Sequence, residues 1–258
     1  MKISMINIVM HGCNGKMGQA ISALVMADEQ AQIVAGIDAV DFGKNPYPVY
    51  DSIEKLDVPC DVVIDFSVAS AVDKLLDYCV SKKIPVVLCT TGLSEVQLGK
   101  VNAASKEVAV LKSANMSLGI NLLLKMLKNA ASVLGPAGYD IEIVEKHHNL
   151  KLDAPSGTAL ALADSINEEL GQSYHYVYDR STRREKRDGK EIGISAVRGG
   201  TIVGEHDVIF AGVDEVITFS HSAYSKTVFG KGAIEAAKFL ADKKPGLYDM
   251  SHVIEQIL

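Results

Sequence analysis

The sequence predicts an α/β protein, with an N-terminal doubly wound parallel sheet followed by a second α+β domain of mixed sheet and helices. Three observations carry this. Short apolar runs alternate with helical patterns as far as Lys112. A glycine cluster, Gly12–Gly18, directly follows the first apolar run. Beyond about Ser117 the pattern changes to one long amphipathic stretch and several strands of alternating character. The 258 residues are 48% hydrophobic and 22% charged, ordinary for a soluble globular chain and enough for two modest domains.

Ile6–Met10 is a short apolar run, as a buried parallel strand should be. HGCNGKMGQ follows, then a helical pattern over Ala20–Ala27 and a second strand at Gln32–Ile37. Asp61–Phe66 is a third strand, and Ala69–Lys82 reads as a helix. Pro85–Cys89 is a fourth strand, Glu95–Ser105 a helix and Val108–Lys112 a fifth strand. Regular β-α-β alternation implies parallel pairing with right-handed crossovers.

LGINLLLKMLKNAASVL is apolar at helical spacing and reads as a long amphipathic helix. Asp140–Glu145 alternates like a half-buried strand, and Ala159–Glu169 is a helix. Glu191–Val197, Thr201–Gly212 and Val216–His221 read as strands of a more antiparallel sheet, and Ala233–Leu240 as a helix. The basic run Asp179–Lys190 reads as a solvated hairpin end, because acids are interspersed and Asp188-Gly189 is a turn signal. Domain boundaries are expected at 1–117, 118–227 and 228–258, the last a helical return to the first domain.

The net charge of −6 argues against nucleic acid as a partner, since phosphate contact needs a basic surface. The N-terminus, MKISMINIVMHGCNGKMG, resembles a leader only superficially: Asn7 interrupts the apolar run and no small-residue cleavage site follows. No segment approaches the roughly 20 apolar residues of a membrane span. A cytoplasmic location and no membrane partner are expected. Cys13, Cys60, Cys79 and Cys89 share no CxxC spacing, so free thiols are expected. No metal is expected, because His175, His206, His221 and His252 are scattered and a zinc site needs three or four gathered ligands.

Gly12, Cys13, Asn14, Gly15, Lys16, Met17 and Gly18 lie between a strand and a helix. Glycine permits close backbone approach, and the helix N-terminus offers N–H groups and a positive dipole end to a pyrophosphate. This is the first crossover of a Rossmann-like dinucleotide fold, with Gly-x-x-Gly-x-x-Gly spacing. Asp38 ends the second strand, where a carboxylate takes ribose hydroxyls; a plain strand-end turn is the alternative. Ala39 follows it. An Arg there would suggest a 2′-phosphate, so NADH is slightly favoured over NADPH. Thr90–Gly92 and Ser113–Ser117 follow the fourth and fifth strands, where ligands bind in open sheets, although Ser and Thr also cap helices.

His147, His148 and Lys151 gather cationic groups directly after a strand. Pro155, Ser156, Gly157 and Thr158 then mark a helix N-terminus. Cations beside a helix N-terminus form a cradle for a carboxylate, and a lysine among them is a candidate proton donor. A capped helix beside a solvated basic loop is the alternative.

GCNGKMG, DFS at Asp65–Ser67, TTG, SANMSLGIN, EKHHNLKLDAPSGTAL, VRGGTIVGEH and FGKGAIEAA occur in that order. With them the chain resembles, end to end, the 4-hydroxy-tetrahydrodipicolinate reductase (dihydrodipicolinate reductase) family. That resemblance implies nicotinamide-dependent reduction of a cyclic, imine-like dicarboxylate in the diaminopimelate route to lysine. It implies His147 as the active-site histidine, Lys151 as the proton donor, and His148, Gly157 and Thr158, with Ser156 as helper, for the substrate. It implies Gly12–Met17, Asp38, Cys89, Thr90, Thr91, Ser113, Ala114, Asn115 and Met116 as cofactor contacts, and a homotetramer built through the second domain's sheet. Cys89 stands where the family usually has Gly, Ala39 where an Arg often prefers the phosphorylated cofactor, and Lys226 where an Arg is frequent. Another reductase or dehydrogenase of a small amino or hydroxy acid, or a nucleotide sensor, would keep the same first domain.

Overall fold

A computed structural model describes residues 5–257. The first four residues of the leader comparison, and Leu258 of the helical return, lie outside the described residues. In chain order the elements are β1 (Ile6–His11), α1 (Lys16–Val25), β2 (Ala31–Ile37), β3 (Val49–Tyr50), β4 (Val62–Asp65), α2 (Ala69–Lys82), β5 (Val86–Leu88), α3 (Glu95–Ala104), β6 (Ala109–Leu111) and α4 (Leu118–Leu134). Then come β7 (Asp140–His147), α5 (Gly157–Glu169), β8 (His175–Val177), β9 (Glu191–Arg198), β10 (Gly204–Ala211), β11 (Val216–Ala223), α6 (Thr227–Leu240), β12 (Gly246–Tyr248) and α7 (Met250–Ile257). The chain divides into two compact units. One comprises residues up to Leu118 together with those from Thr227 onward; the other is Gly119–Lys226.

The first unit is a seven-stranded parallel sheet of order β12-β6-β5-β4-β1-β2-β3. Its strands are short and apolar because both faces are covered. Ile8 and Met10 of β1 join one core with Ile21 of α1, Ala233 of α6 and Val253 of α7. Val9, between them, joins the other core with Val72 and Leu75 of α2 and Val101 of α3. The chain turns in opposite directions from β1, toward β2 and toward β4, so the switch point lies at the carboxyl end of β1. Helix α1 begins at Lys16, four residues before the pattern suggested, because Gly15 serves as its N-cap and Gly18 is accommodated inside the helix.

The second unit is a five-stranded mixed sheet of order β11-β10-β7-β9-β8. Strand β10 runs antiparallel to β7 and β11, while β9 runs parallel to β7 and β8. Helices α4 and α5 cover one face through Leu123, Leu127, Leu162 and Ile166. On that face the sheet is layered. Ile141, Ile192, Phe210 and Ile217 are in register, and Ile143, Ile194, Val208 and Phe219 form the next layer. The third layer is Glu145, Ala196, His206 and His221, and the fourth pairs His147 with Arg198 and Gly204 with Ala223. Two apolar layers thus give way to two polar ones at the carboxyl end of β7.

The expectation for Asp179–Lys190 is corrected. The turn at Asp188 is present, with Glu191 N–H donating to the Asp188 carbonyl at 3.3 Å. But β8 and β9, which flank the run, are parallel and form no hairpin. Nor is the run simply solvated. Arg180 binds Glu142 at 2.7 Å and Glu191 at 3.0 Å. Arg187 binds Asp140 at 2.8 Å and donates to the carbonyls of Ile141 and Glu191. Glu191 is fully buried, and its carboxylate is paired by Arg180 and Arg183, since an unpaired buried carboxylate is costly. The basic loop is a clamp over the β7–β9 pair.

Candidate active site

In the first unit, every nucleotide-loop residue singled out from sequence follows the carboxyl end of a strand. Gly12, Cys13, Asn14, Gly15, Lys16 and Met17 follow β1, Asp38 follows β2, Cys89, Thr90 and Thr91 follow β5, and Ser113, Ala114, Asn115 and Met116 follow β6. Parallel pairing brings these ends to one edge of the sheet. Gly12 has φ +82°, and a Cβ there would lie 2.5 Å from the Phe66 carbonyl oxygen. A Cβ on Gly18 would lie 2.2 Å from the Gly12 carbonyl oxygen. The turn can pass beneath β4 and enter α1 only with glycine at both places.

At the start of α1, Gly15 provides no side-chain cap and the first turn holds no acid. The helix end therefore keeps its donors and its positive dipole end for an anion. Asp38 accepts from Asn14 N–H at 2.8 Å and from Ala39 N–H at 2.9 Å, so its carboxylate is held against the glycine loop. These features fit a dinucleotide: glycines where the backbone must come close, a helix N-terminus for the pyrophosphate, and a carboxylate for the ribose.

Sequence reasoning missed one pair here. His11 Nδ1 lies 2.7 Å from Asp65 Oδ1, and both residues are buried. Both end adjacent strands, in register, and that pairing was the available signal. Burial pushes the Cys13 thiol up to about 11, with help from Asp38, so it stays protonated.

In the second unit the polar layers form a connected network. Glu145 is fully buried. Its oxygens accept from Arg198 Nη1 at 2.8 Å and Nη2 at 2.7 Å, from the Ser156 N–H at 2.9 Å, and lie 2.6 Å from His147 Nδ1. Ser156 caps α5 by accepting from Ala159 N–H, and its Oγ lies 3.1 Å from His206 Nε2. The rings of His147 and His206 meet edge to face with centroids 5.2 Å apart. Burial, then repulsion from His147 when that ring is protonated, lowers the His206 pKa to about 4, so the His206 ring is neutral near pH 7.

Lys151 stands in a separate ion pair with Asp153 at 2.8 Å. The Lys151 ammonium, with backbone N–H groups of Asp153 and Gly157, holds the Asp153 carboxyl below its usual range. His148 is half-buried, Gly157 is exposed in the first turn of α5, and Thr158 is half-buried beside it. The structure thus brings His147 and Ser156 into one network and pairs Lys151 with Asp153. Glu145, Arg198 and His206 were not expected at the site. For Glu145 the signal was present: period-two alternation places it on the face of Ile141 and Ile143. Among the described residues no cluster of three or more His, Cys, Asp or Glu side chains could hold a metal ion.

A doubly wound nucleotide edge in one unit and a buried, hydrogen-bonded polar end in the other fit an NAD(P)-dependent oxidoreductase. Comparison with known proteins gives the particular kind. Residues 6–116 match the N-terminus of dihydrodipicolinate reductase, and residues 119–254 match its C-terminus. The chain belongs to the dihydrodipicolinate reductase family. A 4-hydroxy-tetrahydrodipicolinate reductase of Caldanaerobacter subterraneus subsp. tengcongensis is 55% identical over 98% of this chain and 99% of its own. One from Clostridium tetani is 47% identical over 95% of this chain and 96% of its own. A solved dihydrodipicolinate reductase from Paenisporosarcina sp. TG-14, bound to dipicolinate, superposes with a TM-score of 0.81. It is 26% identical over 96% of this chain and 99% of its own.

Proposed function

We propose that this chain reduces 4-hydroxy-tetrahydrodipicolinate to tetrahydrodipicolinate with NADH or NADPH, in the diaminopimelate route to lysine. The observation that carries the reading is the polar end of the second sheet, with Lys151 and the start of α5 beside it. A dicarboxylate needs fixed donors, and reduction needs a proton source; this end of the sheet has both.

The nicotinamide, when bound, supplies a hydride. The residues after β1, β2, β5 and β6 named above hold the dinucleotide. The 4-hydroxyl leaves with a ring hydrogen as water, giving a conjugated imine. The hydride would add at the carbon that lost the hydroxyl, and Lys151, leaving its pairing with Asp153, donates the proton that the adjoining ring atom then takes. His147 contacts the reacting end of the substrate. His148, Ser156, Gly157 and Thr158 hold its carboxylates at the positive end of α5. The first unit is the dinucleotide-binding domain, and the second, Gly119–Lys226, is the substrate-binding and oligomerisation domain. NADH is slightly favoured, because Ala39 offers no cation for a 2′-phosphate.

We also propose a homotetramer in the cytoplasm. The second sheet's face opposite α4 and α5 bears no buried hydrophobic cluster among the described residues, which supports association through that face. No helix among the described residues is long and apolar enough to cross a membrane.

The test mixes the protein with freshly made substrate and either cofactor and follows loss of the reduced nicotinamide's absorbance. Turnover is expected, with kcat/KM higher for NADH. No turnover with either cofactor would refute the reading. Lys151→Ala should lose kcat by 100-fold or more, about the usual worth of a general acid, with cofactor KM little changed. Sedimentation velocity checks the tetramer.

A further inference from the structure

Strand β7 changes its chemistry without changing its rhythm. Ile141 and Ile143 fill the core, and the next two residues on that face are Glu145 and His147. A carboxylate placed there without partners would strongly oppose folding. It has four. Arg198 meets it with both terminal nitrogens, a fork geometry matched to a carboxylate. Ser156 N–H, the first free donor before α5, is the third. His147 Nδ1, at 2.6 Å, is the fourth.

The fourth contact fixes a proton. An ionised carboxylate only accepts hydrogen bonds, so His147 Nδ1 must carry the hydrogen. Whenever the ring carries a single hydrogen, its lone pair is then at Nε2. Burial pushes the Glu145 carboxyl up, but Arg198, His147 and the Ser156 N–H outweigh it and hold the group below its usual range. The acceptor is therefore ionised near pH 7.

Two further contacts show what the carboxylate organises. Arg198 Nη2 also donates to the Asp153 carbonyl at 2.6 Å, tying down the chain between Lys151 and Ser156. At Gly204 a Cβ would stand 3.1 Å from His147 Nε2, so only glycine leaves that nitrogen unpressed. One carboxylate thus meets the end of β7, the end of β9 and the start of α5, and a glycine of β10 clears the free side of the ring.

We propose that Glu145, clamped by Arg198, is a positioning residue of the substrate site. It holds His147 as the Nδ1–H tautomer with Nε2 presented, and fixes the first turn of α5 relative to that nitrogen. The chemistry that Nε2 meets rests on the reductase reading above; the tautomer and the clamp do not.

The experiment separates the two. Long-range ¹H–¹⁵N spectra of the histidine-labelled enzyme read the His147 tautomer without substrate or turnover. An Nδ1–H resonance with a bare Nε2 is expected; an Nε2–H tautomer would overturn the proposal whatever the enzyme reduces. Glu145→Gln removes the charge and should lower kcat 10–100-fold, the usual range for outer-shell partners, and weaken dipicolinate binding while leaving cofactor KM unchanged. Glu145→Asp should recover part of the loss. Should Glu145→Gln fail to fold, Gly204→Ala decides: it adds no charge, crowds Nε2, and should lower kcat at least tenfold in a folded enzyme. Full kcat in Gly204→Ala would overturn the claim that Nε2 must be kept clear. Absence of turnover in the wild type, with the expected tautomer, would refute the substrate assignment and leave the clamp standing.

Discussion

Replacing Gly18 by Ala sets two effects against each other, and the structure decides between them. In a helix interior Ala is favoured over Gly by about 1 kcal/mol. Gly99, in the middle of α3, shows that effect alone: a Cβ there meets nothing within 4 Å. Gly99→Ala should therefore stabilise by up to about 1 kcal/mol, raising Tm by about 2–4 °C. At Gly18 the same methyl would sit 2.2 Å from the Gly12 carbonyl oxygen and 2.7 Å from the Cys13 backbone. Those atoms belong to the turn that enters α1 and cannot swing aside as a side chain can. The turn must shift by roughly 1 Å, an overpacking cost of about 3 kcal/mol. The net loss is about 2 kcal/mol, so the two alanine variants should differ in Tm by about 6–12 °C. The shift also moves the loop proposed to hold the dinucleotide, and a misplacement of that size can cost about 100-fold in rate. Scanning calorimetry gives the first quantity and initial rates against cofactor concentration the second. Equal Tm for the two variants, or an unchanged kcat/KM for the cofactor in Gly18→Ala, would refute the reasoning.

Three other perturbations follow from the second unit. The His206 pKa is lowered to about 4 by burial first and then by repulsion from His147 once that ring is protonated. Between pH 6.5 and about 4 the unfolded chain binds a proton that the folded ring refuses. Stability is thus full above pH 6.5 and falls by up to about 3 kcal/mol as pH drops through that window, and His206→Gln should flatten urea-unfolding curves taken from pH 7 to 4.5. Arg187→Ala removes the cation that reaches Asp140, Glu142 and three backbone carbonyls. It should cost about 2 kcal/mol, discounted for solvent at a partly exposed pair, and a loss under about 0.5 kcal/mol would return the loop to a solvated role. Asp153→Asn releases Lys151 from its partner, so dipicolinate, measured calorimetrically, should bind several-fold tighter; weaker binding would show that Asp153 helps the site instead of competing with an anion.

The parallel sheet was legible because its strands are buried on both faces, leaving uninterrupted apolar runs such as Val62–Ile64. Strands β3, β8 and β12 were missed. Each has two or three residues and is held by its neighbour's backbone, so none has room for a pattern. The clamp loop misled for a related reason. Its arginines look solvated locally, and the acids that claim them lie far off in sequence, Glu142 being 38 residues from Arg180. At the candidate site, the cradle around Ser156 could be read from capping residues. Arg198 and His206 could not, because their register against β7 exists only once the sheet is built.

The first unit is made of two stretches of chain separated by the whole of the second. Its two cores are not equally served by the earlier stretch. The one containing Val9, Val72 and Val101 draws on residues before Gly119. The one containing Ile8, Met10 and Ile21 also draws on Ala233, Ile234, Leu240 and Val253. During synthesis, then, one side of the sheet can close early while the other has only α1 to cover it until α6 and α7 have emerged. The nascent first domain therefore carries part of an apolar face uncovered through the making of the second, and transiently exposed surface of that kind favours aggregation.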